Sequence, residues 1–75
     1  MTKHFKVIFE EEPEGGFSVF VPSLPGCASQ GETMDEAIEN IKEAIALYIE
    51  SLKEDHLPIP QTDFQVIVRD IEVSV

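Results

Sequence analysis

Apolar and polar positions near the start of the chain follow a period of two: Phe5, Val7 and Phe9 alternate with His4, Lys6 and Glu10. Aromatic and β-branched residues at that period predict a half-buried strand. Pro13, Gly15 and Gly16 interrupt the pattern with turn chemistry, and Phe17, Val19 and Val21 resume it, so the two runs predict a hairpin with an acidic, exposed loop. Pro22 and Pro25 cannot donate to a ladder, so the second strand is expected to end near Pro22 and the chain to turn through Ser23, Leu24, Pro25 and Gly26. A short third strand is expected from Cys27 to Gln30, broken by Gly31.

The period then changes. Thr33 followed three residues later by Glu36 has the form of a capping box, which satisfies orphan backbone donors at a helix start and places the onset near Met34. Met34, Ile38, Ile41, Ile45, Tyr48 and Leu52, flanked by Ala37 and Ala44, recur at spacings of four and three and predict a helix of about five turns with one apolar face. Pro58 and Pro60 close that region, and His56 to Gln61 read as an extended connector. A last strand is expected from Phe64 to Val75, where the apolar set Phe64, Val66, Val68 changes phase to Ile71, Val73, Val75, with a bulge near Arg69 or Asp70 to restore it.

These elements predict an α+β fold of order β-β-β-α-β, a mainly antiparallel sheet with one long helix on one face, in a single domain spanning residues 1–75. If Phe5, Val7, Phe9, Phe17, Val19 and Val21 face the helix, the opposite face carries Ile8, Phe20, Ile67 and Ile71 beside His4, Lys6 and Arg69. Small monomers seldom expose a large apolar patch, so this face is expected to meet a second chain: Ile8, Phe20 and Ile67 are the self-association candidates of a homo-oligomer.

Charge narrows the function. The 15 acidic and 5 basic residues leave a net charge of -10, which repels phosphate backbones. The bases Lys3, Lys6, Lys42, Lys53 and Arg69 are scattered, so no direct nucleic-acid ligand is expected. A basic protein is the natural complement, and Glu36, Glu39 and Glu43 on the outer helix face are the candidate partner contacts. No stretch approaches the roughly 20 apolar residues of a spanning helix and no signal peptide is visible, so no membrane partner and a cytoplasmic location are expected. A single cysteine, Cys27, fits a reducing compartment.

No catalytic constellation emerges. Glu10, Glu11 and Glu12 sit at a strand end and loop, while Asp35, Glu36, Glu39 and Glu43 decorate a helix face that must be solvated in any case. His4 and His56 stand in no metal-ligand spacing. Cys27 has no evident base beside it and reads as a small buried hydrophobe. Ser18, Ser29 and Ser51 show no nucleophile elbow, and Gly15, Gly16, Gly26 and Gly31 match no phosphate-binding loop. The expectation is a binding module that is not an enzyme and uses no cofactor or metal; a residual magnesium nuclease on Glu10, Glu36 or Asp70 is the competing reading from another class.

Taken together, Gly15-Gly16-Phe17-Ser18-Val19, Val21-Pro22-Ser23-Leu24-Pro25-Gly26-Cys27, Gln30-Gly31-Glu32-Thr33, and Glu36-Ala37 through Asn40, Ile41, Ala44 and Tyr48 resemble the HicB-like antitoxin family over nearly the whole chain. The resemblance implies a partly degraded ribonuclease H-like fold that binds a small basic HicA toxin, an mRNA-cleaving ribonuclease of double-stranded-RNA-binding-domain shape, and blocks its active site without catalysis of its own. The family motif residues Pro22, Leu24, Pro25, Gly26, Cys27, Gly31 and Thr33 are expected to be structural. Many family members continue into a DNA-binding domain that represses their own operon; the chain stops at Val75, so operator binding is not expected of it, and Ser23 stands where an acid is common. An orphan oligomerisation or adaptor domain without a toxin is the nearest alternative.

Overall fold

The computed structural model describes residues 3–60 and 65–75. Three antiparallel strands, β1 (Ile8–Glu11), β2 (Phe17–Phe20) and β3 (Ala28–Gly31), form a sheet in the order β1-β2-β3, followed by the helix α1 (Met34–Glu54). Phe9 pairs with Val19 and Val19 with Ser29, while Ile8, Phe20 and Ala28 form the adjacent cross-strand row. Because successive side chains alternate faces, Phe17 and Val19 point to the helix and Ser18 and Phe20 away from it. Phe5, Val7, Phe9 and Phe17 pack against a buried core of Val19, Val21, Leu24, Cys27, Ala37 and Ile41, so the helix covers the face that the alternation predicted.

The segment between β2 and β3 folds as two tandem turns. Leu24 N–H donates to Val21 O (3.0 Å), Cys27 N–H to Leu24 O (2.9 Å), and Val21 N–H to Cys27 O (3.0 Å). Each turn has proline at its second position, where a fixed φ costs nothing, and the second has Gly26 at its third position with φ 83°. The common residue of the two turns is Leu24, which is fully buried (0% exposed). The prolines and glycine thus drive a leucine plug into the core from a loop.

At the helix start, Thr33 Oγ1 accepts from Glu36 N–H (3.1 Å). The Glu36 carboxylate accepts in return from Glu32 N–H (3.2 Å), one residue before the cap residue itself, so the box closes one step wider than the simple pattern. At the other end, His56 takes a left-handed backbone, φ 56°, and two bonds, His56 N–H to Lys53 O (3.1 Å) and Leu57 N–H to Leu52 O (2.9 Å), complete a Schellman motif. The helix therefore stops at Glu54 by its own hydrogen bonding, before the two prolines are reached.

The expected final strand is not formed. Residues 65–75 belong to no ladder, and Ile67, Val68, Ile71 and Val73 are exposed; Phe64 lies outside the described residues. Alternation reports that a segment suits a half-buried pleated surface, but a strand exists only when a neighbour supplies the other half of each hydrogen bond. Without a ladder, the bulge expected near Arg69 or Asp70 has nothing to interrupt. Ile67 consequently does not join Ile8 and Phe20 on the sheet. The ladder also starts later than expected, at Ile8, with Phe5 and Val7 packing on the core as an extended limb outside it.

Three substitutions test this architecture by denaturant or thermal unfolding. Leu24→Ala is expected to cost about 2–5 kcal/mol, a large share of the stability of so small a domain. A Cβ on Gly31 would stand 2.8 Å from Ala37 Cα and closer still to its N, so Gly31→Ala is expected to destabilise by about 1–3 kcal/mol as the helix is forced off the sheet. His56→Gly relieves the left-handed position and is expected to stabilise by roughly 0.5–1 kcal/mol.

Candidate protein-binding surface

An amphipathic helix seated on a sheet must turn its other side outward, and which residues it shows follows from the seat. Ala37 and Ile41 are the buried contacts of α1, with Ala44, Ile45, Tyr48 and Ile49 packed beside them. The opposite stripe runs Glu36, Glu39, Glu43, Leu47, Glu50 and Glu54, at spacings of three and four that keep all six on one side of the helix. All are exposed. The three glutamates singled out by sequence therefore fall on one ridge, together with two more.

Their local surroundings differ. The Glu36 carboxylate is engaged in the helix cap. Glu39 lies 3.6 Å from Lys42 Nζ, a surface pair with both side chains mostly exposed, which adds little stability. Glu43 has no cationic partner among the described residues. Like charges three and four residues apart repel along a helix, so the ridge is held in place by the packing of the opposite face, and a cation arriving from outside would relieve that repulsion.

Leu47, 60% exposed, stands in the middle of this acidic stripe. Sequence reasoning passed over it because it belongs to neither the apolar stripe nor the charge run, yet the helical spacing of Glu43, Leu47 and Glu50 was sufficient to find it. A protruding leucine ringed by carboxylates has the composition of a protein-contact patch, an apolar anchor inside a charged rim.

The self-association candidates separate. Ile8 and Phe20 are cross-strand partners on the sheet face away from the helix, with Phe20 37% exposed, whereas Ile67 is exposed and belongs to no strand. The motif residues have local structural roles: Leu24 and Cys27 are buried, Pro22, Pro25 and Gly26 shape the turns, Gly31 admits the helix and Thr33 caps it.

Two other features bear on chemistry. A polar cleft of about 240 Å³ lies between the β1–β2 turn and the start of α1, lined by Glu12, Glu32 and Glu36 and by Asn40, whose Nδ2 donates to Gln30 O (2.7 Å). Among the described residues no group of three or more His, Cys, Asp or Glu side chains is placed to hold a metal ion; Glu10 lies on β1, Glu36 on α1 and Asp70 in the segment after the helix, outside any element. Cys27 is 5% exposed and burial pushes its thiol up from the ordinary value, which favours the protonated, unreactive form.

Residues 5–72 match the profile of a family described as a HicB-like antitoxin of a bacterial toxin-antitoxin system. A UPF0150 protein of Synechocystis is 49% identical over 72 residues, covering 96% of this chain and 89% of the relative. One from Thermoplasma acidophilum is 48% identical over 63 residues, covering 84% and 91%. Among solved structures, a chain of a HicA3 and HicB3 toxin-antitoxin complex superposes with a TM-score of 0.67 at 29% identity, over 83% of this chain and 72% of that one. A profile matched from the first apolar residue of the N-terminal limb almost to the end of the chain, on the same strand and helix framework, places this protein in the HicB-like antitoxin family.

Proposed function

We propose that this protein is a non-catalytic binding module that neutralises a small basic ribonuclease toxin of the HicA type by occupying its RNA-binding surface. The observation that carries the reading is the α1 ridge: five glutamates on one side of a rigid helix, with an exposed leucine at their centre. A toxin that cleaves RNA must present cationic side chains to phosphate, and a rigid row of carboxylates offers those side chains the same charge. The net charge of -10 adds a long-range field that speeds encounter with such a partner.

Family membership supports this reading, as does the structural match to a chain from a toxin-antitoxin complex. A cytoplasmic setting goes with it; among the described residues no helix is long and apolar enough to cross a membrane. Within the ridge, Glu39 and Glu43 supply the electrostatic contacts and Leu47 the apolar anchor, while Glu36 serves the helix start.

The test is binding to any small basic protein encoded next to this one, measured by calorimetry and by association kinetics over a range of salt. Glu39→Lys with Glu43→Lys is expected to weaken binding at least about tenfold, or about 1.4 kcal/mol, mainly through the association rate and most strongly at low salt. Leu47→Ala is expected to weaken it by a similar factor through faster dissociation, with an unchanged melting temperature because Leu47 lies outside the core. Full affinity in both variants would move the interface off this ridge, and a neighbour that neither binds nor arrests growth would end the antitoxin reading.

A further inference from the structure

We draw no further inference here: the strongest candidate, the apolar groove of about 360 Å³ between the N-terminal limb and α1 along the outer edge of β1, carries nothing because nothing in the structure shows what covers it.

Discussion

The close approach of α1 to β3 governs the rest of the molecule. Gly31 lies so near the first turns of the helix that a single methyl group there would strike the Ala37 backbone, and Ala37 in turn is fully buried. Contact at that range fixes how the helix is rotated about its own axis as well as where it sits. With Ala37 and Ile41 against the sheet, the glutamates from Glu36 to Glu54 must point to solvent on the far side. A rotation of about 100°, one residue's worth, would bring charged side chains toward the core, where unpaired charges are costly. The acidic ridge is thus a consequence of how one glycine meets one alanine.

The two-turn plug at Leu24 adds to the same buried core from a loop. A three-stranded sheet covered by one helix leaves an open flank at the β2–β3 connection, and a polar loop there would admit water. Prolines at the second position of each turn and glycine at a positive φ shape the loop so that its central leucine points inward. The family resemblance lies heavily in this element because changing any of its residues alters the path of the backbone, whereas most strand residues need only keep their polarity.

The structure also separates surfaces by character. The outer side of α1 is charged with one apolar anchor, the outer sheet face is mixed and carries Ile8 and Phe20, and the β1 edge has an apolar groove flanked by lysines. A small acidic chain with these three surfaces has contact area to offer in several directions. Cys27, the residue with the most reactive potential, sits where burial holds its thiol protonated.

Local chemistry made much of this legible in the sequence. The hairpin, the Thr33 cap, the helix from Met34 and its apolar stripe were readable because each depends on residues a few positions apart, whose geometry is set by bond angles and hydrogen bonding within the segment. The same is true of the side on which Glu36, Glu39 and Glu43 lie, and Leu47 could have been found by the same spacing. Residues 65–75 mark the limit. Their alternation announced a strand, but the partner of a strand is chosen across space, and neither the phase change after Val68 nor the composition says whether that partner is near. The helix end shows the limit more gently: Pro58 and Pro60 pointed to a stop, yet the backbone closed it earlier, through a left-handed His56 that no propensity favours strongly. Sequence by itself determined the hairpin, the third strand and the helix, their inward faces and the sign of the surface charge, because these follow from neighbours along the chain. Only the tertiary structure decided that the last segment joins no ladder and that a groove remains beside β1, because both depend on which distant residues the folded backbone brings together.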